Sequence, residues 1–215
     1  QDELDGHATQ QGANVGDCLY KDISGPNGEP DGVIDAYDQT VLGSGLPKVN
    51  FGLSTHMEYK GFDLNISTYG VLNYHVSDDI YNSLNSCYGY GNKEVGMLDA
   101  NRWSEDGSTY LSSVPRTYAA NNATLGWNDL FSSRKIQNAA YWKIANVELG
   151  YNFPDKWFGG YVSGVRLYVS AQNLYTFTGY HGYNVDYAGG TFTPGYNFCS
   201  FPSARTFMCG LHFTF

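Results

Sequence analysis

The sequence predicts an all-β chain, and three observations support this fold class. Apolar and polar residues alternate in five separate runs, whereas almost no segment shows helical spacing. The 215 residues include 26 glycines and 19 tyrosines, a composition typical of strands joined by long polar loops. No stretch approaches the roughly 18 consecutive apolar residues of a membrane-spanning helix, so a helical membrane protein is excluded.

The first two predicted strands form a β-hairpin. Along residues 51–59 the side chains alternate between an apolar and a polar set. Lys60 and Gly61 follow as a tight turn, in which the glycine readily adopts a positive φ. The alternation then resumes at Phe62 and continues through residue 69.

Three further runs complete the set of predicted strands. Residues 139–153 alternate except near their start, where Lys143 falls on the apolar face and Ile144 on the polar face. Residues 165–173 and 207–215 alternate throughout. Five antiparallel strands are therefore expected.

Such runs fit either a soluble β-sandwich or a transmembrane β-barrel. A sandwich packs its apolar faces into a core, whereas a barrel turns them toward lipid and lines a lumen with the polar faces. Nine residues at roughly 3.3 Å each, tilted near 45°, span about 21 Å, close to the apolar band of about 25 Å in outer-membrane barrels. Strand length is therefore compatible with the barrel.

The connections between the strands favour the barrel. Short connections at residues 60–61 and 154–164 alternate with long ones at about 73–138 and 174–204. Bacterial barrels place short turns on the periplasmic side and long loops outside the cell. The last strand then ends at the periplasmic side, and Trp157, beside a short turn, is a candidate for the interfacial aromatic girdle.

The end of the chain supports the same interpretation. Phe207, Leu211, Phe213 and Phe215 lie on one face of the last run. An alternating apolar strand with a terminal phenylalanine resembles the signal that the outer-membrane barrel assembly machinery reads. We interpret these four residues as that signal.

Charge and cysteine content narrow the function classes. The net charge of −9 would repel a phosphate backbone, so no nucleic-acid partner is expected. Cys18, Cys87, Cys199 and Cys209 form no CxxC motif and have no histidine at zinc-finger spacing, and their pairing stays open. Residues 1–11 lack the features of a signal peptide.

An enzyme is not expected either. The five histidines lie in unrelated contexts, and no serine or cysteine occupies a nucleophile-elbow sequence. No glycine-rich run follows a strand and opens a helix, so nucleotide binding has no support.

Motifs that carry a family resemblance are spread along the chain. They are Lys21-Asp22-Ile23, Asp31-Gly32-Val33-Ile34-Asp35 with Asp38, Val41-Leu42-Gly43, Leu46-Pro47-Lys48, Glu58-Tyr59-Lys60-Gly61-Phe62-Asp63-Leu64, Arg102-Trp103, Val147-Glu148-Leu149-Gly150-Tyr151 before Pro154, Leu167-Tyr168-Val169-Ser170-Ala171-Gln172-Asn173-Leu174, Thr176-Phe177-Thr178-Gly179-Tyr180 and Arg205-Thr206-Phe207. As an ordered set they resemble the C-terminal part of SusC/RagA-type TonB-dependent outer-membrane transporters.

The resemblance implies a domain organisation. Residues 51–215 would supply the last five strands and two long extracellular loops of a 22-stranded barrel, and residues 1–50 an extracellular loop region. The plug domain and TonB box of the family are absent. Because five strands cannot close such a barrel and would expose two edges to lipid, we expect the chain to be a fragment of a longer polypeptide.

The resemblance also implies a function and partners. The family imports oligosaccharides or oligopeptides actively, with a SusD-like surface lipoprotein as a lid and the TonB complex acting through the missing N-terminal part. The remainder of the transporter and outer-membrane lipid are the other expected partners. A soluble β-sandwich carbohydrate-binding module is the alternative.

An acidic loop is a candidate site for Ca²⁺ or Mg²⁺, although no cofactor is required. Asp31, Asp35 and Asp38 follow the spacing of the second half of an EF-hand-like loop, with Gly32 at the sharp turn and Asp22 nearby. In the alternative interpretation these carboxylates cap backbone amides in Asx turns.

Tyrosines in the long loops are candidates for substrate or lid contact. A tyrosine combines a flat apolar ring with one hydroxyl, which suits sugar rings, peptides and protein interfaces. Packing of the loops on one another is the alternative. The candidates are Tyr81, Tyr88, Tyr90, Tyr180, Tyr183, Tyr187 and Tyr196.

Overall fold

The computed structural model describes residues 8–87, 91–95, 97, 103, 114–116, 127–158, 162–186, 190 and 192–214. The chain forms two compact units. The first contains residues 1–42 and 79–135, and the second contains residues 43–78 and 136–215. The predicted division at residue 50 lies near the boundary between residues 42 and 43, whereas residues 79–135 join the first unit.

Strands dominate the described residues. In chain order the elements are β1 (Val49–Tyr59), β2 (Phe62–Leu72), β3 (His75–Asp78), α1 (Asp79–Leu84), β4 (Gln137–Asn138), β5 (Tyr141–Phe153), β6 (Gly164–Thr178), β7 (Tyr196–Asn197) and β8 (Thr206–Thr214), with short 3₁₀ turns at Ala36–Asp38, Trp127–Asp129, Ser133–Lys135 and Asp155–Trp157. No helix in the described part of the chain is long and apolar enough to cross a bilayer.

The second unit is built on one antiparallel sheet in the order β1-β2-β5-β6-β8. All five predicted strands are present, and the predicted all-β class is confirmed. Lys60 and Gly61 close the first hairpin with φ values of 48° and 89°, as the two central residues of a type I′ turn require. We call the end of the sheet at which this turn connects β1 and β2 the turn end. The loop end is the opposite end, where residues 73–140 and 179–205 leave the strands.

The sheet has one apolar and one polar face. The apolar face carries side chains that are exposed, including Leu53 (62%), Leu211 (58%) and Phe207 (70%). A sandwich would bury these side chains under a second sheet. The sandwich alternative is therefore wrong for this sheet. Other exposed members of the apolar face are Met57, Tyr59, Phe62, Leu149, Leu167, Val169 and Phe213.

A β-bulge in β5 explains the irregular alternation near its start. Ala145 has no partner in either neighbouring strand, and the register shifts there on both sides. Toward the loop end the faces of β5 therefore exchange, because one inserted residue changes the phase of the alternation. Trp142 joins the exposed apolar face, whereas Lys143 and Tyr141 are buried on the other side. The prediction that placed Tyr141 and Lys143 on the apolar face is wrong for this reason.

A small second sheet contributes to the loop end. Its order is β4-β3-β7, with β3 antiparallel to β4 and parallel to β7. The buried cluster around it contains Tyr74, Val76, Ala139, Tyr141, Tyr180 and Val185, with Val71 packed against it. The second unit thus has its buried apolar cluster at the loop end of the large sheet.

Candidate functional site

Ion pairs cross the polar face of the sheet near the turn end. Arg166 on β6 donates from Nε to Asp63 Oδ2 on β2 at 3.0 Å and from Nη2 to Glu148 Oε1 on β5 at 2.7 Å. Its Nη2 also donates to Asp63 Oδ1. Asn152 adds a 3.0 Å hydrogen bond to Asp63 Oδ2. Charged groups of this density belong beside water or protein and are costly beside hydrocarbon chains.

A glycine makes room for these ion pairs. At Gly150 an added Cβ would lie 2.4 Å from Asp63 Oδ2 and 2.6 Å from Arg166 Nη2. A second glycine leaves room in the same way on β8, where a Cβ at Gly210 would lie 2.6 Å from the Tyr168 ring. The Arg166 guanidinium stands 5.3 Å from the centre of that ring. The absence of a side chain at Gly150 and Gly210 therefore leaves the space that the ion pairs and the Tyr168 ring occupy.

Further polar groups extend this face. His56 Nδ1 lies 2.6 Å from Asn65 Oδ1, and its Nε2 lies 3.0 Å from Glu58 Oε1. A shallow cleft of about 560 Å³ opens over the middle of the face, with Gln172 and His212 among the residues that line it. The polar face is thus suited to contact with water.

Aromatic side chains occur at both ends of the apolar face. At the loop end Trp142 stacks on Phe177 with ring centroids 5.4 Å apart, and Tyr175 contacts Phe177 at 4.7 Å. Two aromatic belts with aliphatic side chains between them are typical of outer-membrane barrels. At the turn end the belt consists of Phe62, Tyr151, Phe153 and Trp157, with successive centroids 4.6, 4.9 and 5.8 Å apart.

The loop that follows β6 is fastened to the sheet by an ion pair. Lys143 donates from Nζ to Asp186 Oδ2, and Tyr69 donates to the same oxygen at 3.3 Å. Lys143 is 4% exposed, and the ion pair with Asp186 offsets part of the cost of burying its amino group. The bulge at Ala145 is what turns Lys143 toward the loop.

Tyr180, a predicted contact residue, lies inside the loop region. Its hydroxyl donates to the carboxylate of Asp78, and Asn197 Nδ2 donates to Asp78 Oδ2 at 2.9 Å and to the Tyr180 hydroxyl at 2.7 Å. Burial, with a smaller contribution from Asp78, raises the pKa of the Tyr180 hydroxyl well above its usual range, so the group stays a donor. Tyr180 thus joins the β6 loop to both β3 and β7.

The other predicted tyrosines differ in their exposure. Tyr183 and Tyr196 are exposed, and Tyr81 in α1 is half-buried. Sequence reasoning passed over the exposed Phe192, Phe198 and Phe201, although large apolar residues in a polar, glycine-rich loop are a usable signal. Tyr88, Tyr90 and Tyr187 lie outside the described residues. Contact with substrate or lid stays a prediction.

Of the predicted assembly signal, Phe207, Leu211 and Phe213 are exposed on the apolar face of β8. Phe215 lies outside the described residues. Recognition by the assembly machinery stays a prediction.

The carboxylates of the acidic loop cap backbone amides. Asp38 accepts from the N–H groups of Ile23 at 2.8 Å, Ser24 at 3.2 Å and Asp35 at 2.9 Å. These bonds lower the pKa of Asp38 because they favour its ionised form.

The remaining carboxylates each accept one amide. Asp35 accepts from Tyr37 at 2.8 Å, Asp22 from Gly32 at 2.7 Å and Asp31 from Val33 at 3.0 Å. No group of three or more metal-ligating side chains is assembled among the described residues. Cation binding stays a prediction.

Comparison with known proteins identifies relatives along nearly the whole chain. No family model matches it. TonB-dependent receptor P3 of Formosa agariphila is 30% identical over 98% of this chain, and TonB-dependent receptor SusC of Bacteroides thetaiotaomicron is 26% identical over 92% of it. The predicted resemblance to SusC/RagA-type TonB-dependent transporters is confirmed. The chain spans 20% and 19% of the lengths of these two relatives.

Solved structures share the fold of this chain. The RagAB peptide importer in its closed-closed state superposes with a TM-score of 0.70 and 24% identity, over 89% of this chain and 20% of that chain. Its open-open state gives a TM-score of 0.68 at the same identity, over 88% and 20%. These relatives are named receptors or transporters rather than enzymes, in line with the expectation that the chain has no catalytic site.

Proposed function

We propose that this chain forms part of the wall and loop end of an active importer in the bacterial outer membrane. The observation that supports this most is the contrast between the two faces of the sheet. Exposed side chains such as Leu53 and Phe207 lie on the apolar face, while Asp63, Glu148 and Arg166 pair on the opposite side. Lipid would cover the first face, and the interior of a barrel would receive the second.

The aromatic belts support an orientation for this wall. The short turns at the turn end would face the periplasm, together with the end of β8, and the loop end would face outward. Trp142 and Trp157 would then lie at opposite membrane interfaces, where aromatic rings are favoured.

We also propose the cargo class and partners. The barrel and plug of the same transporter would surround the sheet, and the TonB complex would supply energy through the plug. Oligosaccharides or oligopeptides would be the cargo, and one relative is described as a peptide importer. The exposed rings of Tyr183, Phe198 and Phe201 support a protein contact at the loop end, for which a SusD-like lipoprotein is our candidate.

Membrane fractionation of the complete transporter tests the location. The protein should sediment with outer membranes, resist extraction by high salt and dissolve only in detergent. Recovery in the aqueous supernatant would contradict the proposal. Analysis of what co-purifies with the detergent-solubilised complex then identifies the cargo and the lipoprotein.

We propose in addition that the acidic loop takes up Ca²⁺ or Mg²⁺ after a small rearrangement. Asp22 Oδ1 is buried without a hydrogen-bond partner among the described residues, and the Asp38 carboxylate lies within hydrogen-bond reach of the Asp22 side chain. A cation beside these two side chains would bind to carboxylate oxygens, the ligands that Ca²⁺ and Mg²⁺ prefer, and would balance their negative charge.

Calorimetric titration of the purified transporter with Ca²⁺ tests this site, after treatment with a chelator. Heat of binding should be lost in Asp22→Asn and kept in the control Glu58→Gln, which changes an exposed carboxylate on β1. Equal heats in wild type and Asp22→Asn would contradict it.

A further inference from the structure

Two cysteines of the first unit are held close to one short turn. The N–H of Cys18 donates to Asn128 Oδ1 at 2.5 Å, and the N–H of Cys87 donates to Asp129 Oδ1 at 3.3 Å. Asn128 and Asp129 are consecutive residues of the 3₁₀ turn Trp127–Asp129. The backbones of the two cysteines, far apart in sequence, are therefore held by the side chains of two consecutive residues.

Their thiols also share one side chain. Arg134 donates from Nη1 to Cys18 Sγ at 3.1 Å, and the same guanidinium is a hydrogen-bond partner of the Cys87 thiol. Cys87 is fully buried, whereas Cys18 is partly exposed. A single guanidinium thus bridges the two sulfur atoms.

The chemistry around the thiols suits disulfide exchange. Burial raises the pKa of both thiols, and the positive charge of Arg134 offsets part of that rise by stabilising a thiolate. The thiolate is the reactive form in exchange. Cys18, which solvent reaches, is placed to react first, and Cys87 is placed to attack it from within.

We propose that Cys18 and Cys87 become linked by a disulfide bond in the assembled protein. The inference rests on the proposed function in one respect, because an outer-membrane protein folds in an oxidising compartment. A disulfide of a periplasmic oxidoreductase is the oxidant. The Cys18 thiolate attacks that disulfide and releases one thiolate, and the Cys87 thiolate then attacks Cys18 Sγ and releases the second.

Protons and electrons balance in this exchange. Two cysteine thiols lose two protons and two electrons, and the oxidoreductase disulfide is reduced to a dithiol. Arg134 must move from its bridging position as the sulfur–sulfur bond forms, since that bond is only about 2 Å long.

The bond would have a clear structural effect. The first unit combines two chain segments, residues 1–42 and 79–135, and no β-sheet joins these segments among the described residues. A link between Cys18 and Cys87 would join one segment to the other and restrict the unfolded chain between them.

Mass spectrometry of the complete transporter tests the proposal. Membranes are solubilised without reductant in the presence of N-ethylmaleimide, and the protein is denatured and digested. We expect a cross-linked peptide pair containing Cys18 and Cys87, which reduction separates, while Cys199 and Cys209 carry the label because denaturation in the presence of N-ethylmaleimide makes every free thiol accessible. Labelling of Cys18 and Cys87 in the denatured, unreduced protein would overturn the proposal.

Single variants provide the control. In Cys18→Ser the cross-linked pair should be lost and Cys87 should become labelled on denaturation, whereas Cys199→Ser should leave the pair unchanged. If Cys18→Ser does not fold, the wild-type peptide map still decides. A protein that sediments with membranes but carries free Cys18 and Cys87 would overturn this inference alone, whereas a protein absent from membranes would overturn the proposed function.

Discussion

At the scale of single residues, Gly150 shows how an absent side chain supports a charged site. The Asp63–Arg166 pair occupies the space where its Cβ would lie. Gly52, also on the polar face, has only an ordinary contact, with its added Cβ 3.7 Å from the Thr68 carbonyl oxygen. The two glycines therefore form a matched pair for mutation.

We expect Gly150→Ala to destabilise the protein by about 1–3 kcal/mol, because the Cβ would displace the ion pair. Gly52→Ala should cost less than about 1 kcal/mol. Unfolding in detergent, monitored by the heat-dependent migration of the protein on gels, measures the stability of both variants. Equal costs would contradict the role given to Gly150.

Asp38 gives a prediction about pH. Its pKa is lowered in the folded protein, so its contribution to stability is present above the unfolded value of about 3.9 and is lost as pH falls through the folded pKa. The protection factors of the Ile23 and Asp35 amides against hydrogen exchange should therefore fall below about pH 4. In Asp38→Asn these amides should exchange faster at neutral pH and should lack the acid-dependent step.

At the scale of elements, β1 separates the environments of its two faces. Leu53 and Ser54 are adjacent near the middle of the strand, are both exposed and point to opposite sides. Leu53→Arg should destabilise the membrane-embedded transporter by about 2–4 kcal/mol, whereas Ser54→Arg should cost much less. Folding titrations in lipid vesicles measure the difference, and similar costs would mean that the assigned orientation is incorrect.

The bulge of β5 gives a second prediction for an element. Deleting Ala145 would restore strict alternation and leave Lys143 on the side of Asp186, because the inserted residue itself is removed and Ile144 and Asn146 then alternate as neighbours. We expect the folded fraction in membranes, measured by heat-dependent migration on gels, to stay close to that of the wild type, whereas Lys143→Met, which removes the positive charge beside Asp186, should lower it severalfold. A severalfold loss in the deletion variant would show that the bulge itself is required for assembly.

Strand positions were predictable from the sequence, but contacts between distant segments were not. The alternation of apolar and polar residues in short segments such as residues 51–59 follows directly from the two-residue period of a strand. No local signal marks Ala145 as an insertion, because an alanine suits either face. The Lys143–Asp186 pair joins residues 43 positions apart, and α1 spans only Asp79–Leu84, too few residues to establish a helical period.

The candidate site was predictable to a similar extent. Alternation identified the polar face of the sheet, yet the partners of Arg166 depend on strand register, which alternation alone does not specify. The sequence predicted that Tyr180 lies at the surface and contacts substrate or lid, because its sequence neighbours are polar. Its burial follows from Asp78 and Asn197, which lie on strands distant in sequence.

At the scale of the whole molecule, the aromatic belts predict the position of the sheet in the bilayer. Trp142 and Trp157 are both exposed and lie toward opposite ends of the sheet. In variants that retain one of these tryptophans as the only one in the transporter, quenchers near the lipid headgroups should reduce fluorescence more than quenchers at the bilayer centre. Stronger quenching from the centre would contradict the assigned membrane position.

The outer strands of the large sheet have a consequence for handling the polypeptide. β1 and β8 each pair on one side only within the described part of the chain. Their remaining N–H and C=O groups can recruit another extended backbone. Expressed without neighbouring strands, this stretch should stack edge to edge into insoluble ribbons, so production for biophysical work should start from the complete transporter gene.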